Sequence, residues 1–329
     1  MPERPPHSAR LPHQPMPHTA RASIPADLAG LGVRVFERGW LSSNNILIQG
    51  DGPTALVDSG YSTHAPLTLA LVQQTLADRP LDLLLNTHLH SDHCGGNATL
   101  QAAYPPLRTL IPPGHAQAVA QWDADALTYT PTGQDCPRFV HQGLLNPGDT
   151  LQLGSHTWEV HGAKGHDPHS IILFQPDTGV LISADALWGN GFGVVFPELD
   201  GVDAFDEVGE TLDVIEALRP TTVIPGHGPV FHDVPEALAR ARSRLAQFTA
   251  APDKHLRYAL KVLVKFKLLE QQTTTRDDLL AWMRQTPYLI RFMPAQSSPD
   301  NDQAWLEPLL GDLARSGALR VDGERVINL

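Results

Sequence analysis

Four residues able to bind a metal crowd into one six-residue frame, His88-Leu89-His90-Ser91-Asp92-His93, directly after the compact apolar run 81–86. Neutral imidazoles and carboxylates are suitable ligands for Zn²⁺, Fe or Mn²⁺. If the apolar run is a buried strand, residues i and i+2 at its end point the same way, so His88 and His90 can grip one metal. Asp92 and His93 then curl over as the chain turns and can serve a second. The competing reading is a polar loop with chance histidines, and the density of ligand types in so short a frame argues against it.

Such a cluster needs strands to aim it, and the pattern on either side supplies them. From Gly32 to Gly60 short apolar runs (VRVF, NNILIQ, TALVDSG) alternate with turn residues, and Gly-Asp-Gly-Pro suits a hairpin connection. The spacing turns helical over 65–77 and Arg79-Pro80 ends it. After Gly95-Gly96, Asn97 is the expected cap of a helix over 98–103. RTLIPP and GHAQAVAQW repeat the strand–helix alternation, and residues 122–141 are expected to be irregular. A second set of strands follows in LQLGSHTWEVHGA, SIILFQPDTGVLISAD and TTVIPGHG, with a helix over 203–218. The expected class is α+β: two β-rich halves with helices outside, an αββα sandwich.

The H-x-H-x-D-H cluster at a strand end, before a Gly-Gly turn, resembles the signature of the metallo-β-lactamase superfamily. The resemblance implies three further ligands in a set order, and 32–230 contains a match to each. Lys164-Gly165-His166-Asp167-Pro168 looks like the family's Gly-His-x-Pro turn. Val180–Asp185 looks like the strand delivering a bridging carboxylate, and Val223–Gly228 looks like the turn presenting the last histidine. By this resemblance one metal takes His88, His90 and His166, the other takes Asp92, His93 and His227, and Asp185 bridges. The chemistry implied is attack by a metal-held hydroxide on a carbonyl carbon, with Asp92 and Asp185 as catalytic carboxylates and no serine or cysteine nucleophile. Two divalent ions are expected, Zn first, with Fe or Mn as alternatives.

Neighbouring residues carry plainer expectations. Asp58 is expected to support the histidines without ligating. His161 lacks the Gly-His-x-Pro context of His166. His169 stands where the family pattern has a small residue, and a polar pocket contact or a hydrogen-bonded loop histidine suits it better than ligation. Cys94 is expected to be a small buried filler. Trp122, Tyr129, Trp188, Phe192 and Phe196, with His169, are the candidates for a substrate pocket, though packing between domains would explain the aromatics equally well.

Composition narrows the partners. The 329 residues carry a net charge of −12, which argues against nucleic acid and against anionic membrane surfaces. Neither an uninterrupted apolar run long enough to span a bilayer nor an apolar secretory segment is visible, and two cysteines make no disulfide framework, so a cytoplasmic setting is expected. The Pro- and His-rich stretch 1–23 reads as a disordered tail. The catalytic domain is expected over 24–250. Residues 251–329 read as three helices and a β-ribbon about Asp322-Gly323, the order of a winged helix, with TTTRDDLL giving a Thr-capped second helix. That region holds eleven Lys or Arg against ten Asp or Glu, so closure over the active site or homodimer contact suits it better than nucleic-acid binding.

The expected reaction is hydrolysis of a thioester, lactone or related ester on a small-molecule acyl substrate, as in the glyoxalase II-like branch. The family's dinuclear β-lactamases tend to carry cysteine or serine at the bridging position, where this chain has Asp185. Two alternatives remain at this stage: a mononuclear iron persulfide dioxygenase, and a nucleic-acid-processing hydrolase guided by the winged-helix unit.

Overall fold

A computed structural model describes residues 26–295 and 298–329; the tail expected over 1–23 lies outside them. Six strands form the first sheet in sequence order: β1 (Val33–Phe36), β2 (Asn45–Ile48), β3 (Ala55–Val57), β4 (Leu83–Leu85), β5 (Arg108–Ile111) and β6 (Gly143–Leu144). β1 to β3 pair antiparallel, and β3 to β6 pair parallel. The second sheet runs β11-β10-β9-β8-β7, from β7 (Thr150–Leu153), β8 (His156–Gly162), β9 (Ile171–Gln175), β10 (Val180–Ala184) and β11 (Thr222–Pro225). Its pairs are antiparallel except β10 with β11.

Alternation of side chains along each strand sorts the core into layers. Ile46, Ile48, Val57 and Leu85 meet Leu153, Trp158, Leu173 and Ile182 between the sheets. The opposite face of the first sheet, with Leu47, Leu56 and Leu84, packs under Val72, Leu76 and Leu100 from helices Ala65–Leu76 and Asn97–Ala103. The outer face of the second, with Ile172, Leu181 and Val223, packs under Leu212, Ile215 and Leu238 from helices Phe205–Leu218 and Val234–Ala250. The result is helix, sheet, sheet, helix, with both sheets buried on two faces.

Two local expectations are corrected. Asn97 is the first residue of its helix and Gly96 the cap; the Asn97 amide instead ties buried Asn86 (2.7 Å) to Ser59 (2.7 Å). The stretch 122–141 holds a short helix, Tyr129–Thr132, entered through left-handed Thr128.

Past Ala250 come helix Pro252–Gln271, β12 (Thr273–Thr275), helices Arg276–Met283, Pro287–Ile290 and Pro299–Arg315, and the hairpin of β13 (Leu319–Asp322) and β14 (Arg325–Asn328). β14 lies between β12 and β13. Thr275 caps its helix as expected, its hydroxyl accepting the Asp278 N–H at 3.1 Å. The core of this unit includes Val194 and Leu199 from the segment after β10, packed among Leu263, Leu280, Met283 and Leu289. Among the described residues no helix is long and apolar enough to cross a membrane.

Candidate metal centre

Strand ends at one rim of the two sheets converge on a single cluster. β4 delivers His88 and His90, and the turn Ser91–Cys94 raises Asp92 and His93. The loop between β8 and β9 brings His166, β10 ends at Asp185, and β11 ends at His227. His88, His90 and His166 offer nitrogens within 4.8 Å of one another; so do the donor atoms of Asp92, His93 and His227, and those of His88, His93 and Asp185. All seven residues matched through the family resemblance therefore come together. Asp185 lies between the two sets, with carboxylate oxygens 3.4 Å from His93 Nε2 and 3.4 Å from His166 Nε2.

The backbone is held to this shape at some cost. Asp58 and Ala184 adopt left-handed conformations (φ 56° and 45°), unusual for residues with a Cβ. Gly226 packs so tightly that a Cβ there would lie 2.2 Å from the Asp185 carboxylate. At Gly193 it would lie 2.4 Å from the His166 ring.

Several side chains of the cluster are held from outside it. Asp58 Oδ2 bonds His93 Nδ1 at 2.8 Å, and the same carboxylate accepts the Thr87 N–H (2.9 Å) and hydroxyl (2.8 Å). This is the supporting role expected of Asp58. His166 Nδ1 donates to the Val194 carbonyl, which leaves Nε2 facing the cluster. The Trp188 indole N–H donates to Asp185 Oδ1 at 3.2 Å. Trp40 stacks on His227, with ring centroids 5.3 Å apart and planes 7° from parallel.

Electrostatics fit a cation. His88 Nε2 and His93 Nε2 are buried without a hydrogen-bond partner, an arrangement that costs free energy unless something positive occupies the space between them. Burial, then the neighbouring His93, His90 and His166, holds His88 well below the ordinary imidazole range; burial and His166 push His90 down to about 4. Both are thus neutral, as ligands must be. Burial alone would lower His93 too, yet Asp185, Asp58 and Asp92 outweigh it and draw a proton on. For Asp185, burial is outweighed by His227 and His93, which keep it ionised. A cation would take the place of that trapped proton.

The pocket candidates separate. Trp188 and Phe196 line the cavity at the cluster, with Phe196 edge-on to His90 at 4.9 Å. Phe192 does not: it is core, packed on Phe248. Trp122 and Tyr129 pack on each other and line a different cavity beside Trp282, while Thr128, Thr132 and Gln134 from their segment line the cavity at the cluster. His169 stacks edge-on with His115 (4.5 Å), its N–H bonded to Asp167, and is not among the residues lining the cavity. Cys94 is buried, its Sγ 3.1 Å from the Tyr129 hydroxyl, as suits a filler.

Several residues that shape the site carry no local signal in the sequence. Asn44 straps the His227 turn, its amide donating to the carbonyls of Pro225 (2.9 Å) and Gly228 (2.8 Å). Trp40 and Tyr258 lie far from any ligand in sequence, and only the folded chain brings them to the cavity. Asp167 could have been found, because it occupies the variable position of the Gly-His-x-Pro turn; its carboxylate lies 3.9 Å from His90 Nε2.

Residues 38–227 match the metallo-beta-lactamase superfamily, and the chain belongs to it. It is an enzyme of that fold. Among curated relatives, a hydroxyacylglutathione hydrolase of Rhodobacter capsulatus is 34% identical over 48% of this chain and 53% of its own length. Another, from Thermosynechococcus vestitus, is 27% identical over 49% of this chain and 56% of its own. An atrochrysone carboxyl ACP thioesterase of Aspergillus fumigatus is 24% identical over 60% of this chain and 40% of its own. The chain thus spans about half the length of the curated relatives it matches. Among solved structures, a beta-lactamase domain protein from Burkholderia ambifaria superposes with TM-score 0.56 at 22% identity, covering 90% of this chain and 92% of that one. A metallo-beta-lactamase family protein from Thermus thermophilus gives TM-score 0.53 at 19% identity, covering 91% and 99%. These two structures share the fold.

Proposed function

We propose that the protein is a metal-dependent hydrolase that cleaves a thioester or a related ester of a small acyl substrate. The observation that carries this reading is the pair of buried nitrogens without a hydrogen bond, His88 Nε2 and His93 Nε2, set around an ionised Asp185. His88, His90 and His166 would hold one divalent cation and Asp92, His93 and His227 a second, with Asp185 between them. The all-nitrogen and oxygen donor set suits zinc first. Bound there, the cations would supply Lewis acidity toward a carbonyl oxygen and lower the pKa of water to about 7.

The chain's own residues do the rest. Asp92 Oδ2, 3.0 Å from His227 Nε2, is an acceptor at the cluster able to orient the attacking water. Asp58 fixes the His93 ring, and Trp188 fixes one oxygen of Asp185, so both keep their aim without reorganisation. Phe196, Val262 and Phe266 give the cavity an apolar side next to the cluster. The thioesterase and hydroxyacylglutathione hydrolase names of the relatives support thioesters over other acyl compounds. The C-terminal unit reads as winged-helix-like on its order of helix, strand, helices and hairpin, and its first helix serves here as a wall of the cavity. The test is hydrolysis of simple acyl thioesters by metal-loaded protein. Turnover that disappears on chelation and returns with zinc is expected; turnover that survives chelation would overturn the reading.

A further inference from the structure

Beyond the metal cluster lies a second cavity of about 580 Å³, and the two share Trp40, Trp188, His227, Tyr258, Val262 and Phe266 as a common wall. Tyr258, Val262, Phe266 and Leu269 fall at i, i+4, i+8 and i+11, so a single face of helix Pro252–Gln271 forms one side. From Val262 to Leu269 that face runs about 10 Å, the length of an extended medium-chain acyl group. Trp40 is 56% exposed although it stacks on His227, an unusual position for so large an apolar ring. Among the described residues no carboxylate lines the cavity.

Three cations do, and they differ. Lys265 is held by the Ala318 carbonyl and the Asn328 side chain, and Lys261 lies 3.6 Å from Asp312. Arg244 has no carboxylate partner among the described residues: its guanidinium sits over the Tyr258 ring at 5.2 Å, interacts with the Tyr258 hydroxyl, and lies 3.4 Å from the Phe192 carbonyl. It is half-buried, with the Tyr258 ring beneath it, at the end of the apolar face that adjoins the metal cavity. A guanidinium so placed keeps most of its donors free for a carboxylate or phosphate.

We infer that the substrate is an apolar acyl group esterified to a small anionic thiol or alcohol. The acyl chain lies along Val262, Phe266 and Leu269, the scissile carbonyl sits at the shared wall beneath Trp40, and the anion of the leaving group is held by Arg244. This rests on the hydrolase reading above. Cleavage breaks the acyl–sulfur or acyl–oxygen bond, adds hydroxide to the carbonyl carbon, and returns the proton to the departing thiol or alcohol. Arg244 is a specificity-determining residue in this account and takes no part in the bond changes.

The test compares two thioesters, S-octanoyl-3-mercaptopropionate and S-octanoyl-2-mercaptoethanol, which differ in the charge of the thiol portion. Metal-loaded protein is expected to favour the anionic one by tenfold or more in kcat/KM, mostly through KM, as a charge-assisted contact warrants (about tenfold to a hundredfold). Arg244→Met should bring that ratio close to one, and Arg244→Lys should restore part of it. Shortening octanoyl to acetyl should weaken both substrates. Binding is read separately by tryptophan fluorescence with the matched S-octyl thioethers, which have no carbonyl to hydrolyse. Preference for the anionic thioether that is lost in Arg244→Met supports the inference even if neither thioester turns over, a result that would count against hydrolysis alone. Equal turnover and equal binding of the charged and neutral partners would overturn the inference and leave the hydrolase reading standing. Absence of both binding and turnover would sink the two together.

Discussion

Asp58 shows how much of the cluster is held by side chains outside it. One carboxylate takes three hydrogen bonds, from His93, the Thr87 amide and the Thr87 hydroxyl, and so fixes both the ring and the strand end that carries it. Asp58→Asn keeps the shape but turns one acceptor into a donor facing His93. Loss of such an outer carboxylate is expected to weaken metal affinity about tenfold to a hundredfold. Competition against a chromophoric chelator would measure it, and an unchanged affinity would show that His93 needs no support. Gly226 offers a sharper case. The Cβ of Gly226→Ala would meet the Asp185 carboxylate, with the Ala184 backbone close behind it, leaving no room to relax. Metal stoichiometry in that variant should fall while far-UV circular dichroism stays native; full occupancy would contradict the geometry described.

At the scale of elements, helix Pro252–Gln271 is joined to the segment after β10 by His255, whose Nε2 accepts the Val195 N–H at 3.1 Å. Burial pushes His255 down to about 4. Because the folded value lies below the ordinary 6.5, the unfolded chain takes up the proton first as pH falls. This contribution is therefore complete above about pH 6.5 and is lost progressively toward pH 4, by at most about 1.4 kcal/mol per pH unit. His255→Gln retains an acceptor that does not titrate, so its Tm should drop less than the parent's between pH 7 and pH 5. Parallel profiles would show that His255 has no such role. Elements of this kind explain what was legible in the sequence and what was not. The seven candidate ligands lie at strand ends in short motifs whose spacing the backbone period sets, and they converge. The helix at 65–76, the Thr275 cap and the closing hairpin follow from local pattern in the same way. Phe192, Trp122 and Tyr129 lie away from the cavity at the cluster, and a loop or a single helical turn has no period to show which way an aromatic residue faces. Trp40, Asn44 and Tyr258 reach the site only through contacts distant in sequence, and nothing local marks them. β12 is three threonines long, and its partner strand lies some fifty residues further along.

Over the whole molecule, the sandwich and the C-terminal unit share structure at the cavity. Val194 and Leu199 are core residues of the C-terminal unit although they follow Asp185, and Tyr61 from the sandwich bonds Glu270 at 2.9 Å. Cations bound at the strand ends would tie both sheets together, and a ligand that binds only the folded state stabilises it by mass action, about 4 kcal/mol at a thousandfold excess over Kd. Chelation is therefore expected to lower Tm by several degrees in a single transition. An unchanged Tm would separate the cluster from the stability of the fold.

The most direct test of the central claim is elemental analysis of protein purified without a metal-chelating step, with Asp185→Ala beside it. Two equivalents of zinc, iron or manganese per chain, falling in the variant, is the predicted result. A folded protein that binds no metal, or one whose metal content is indifferent to Asp185, would contradict it.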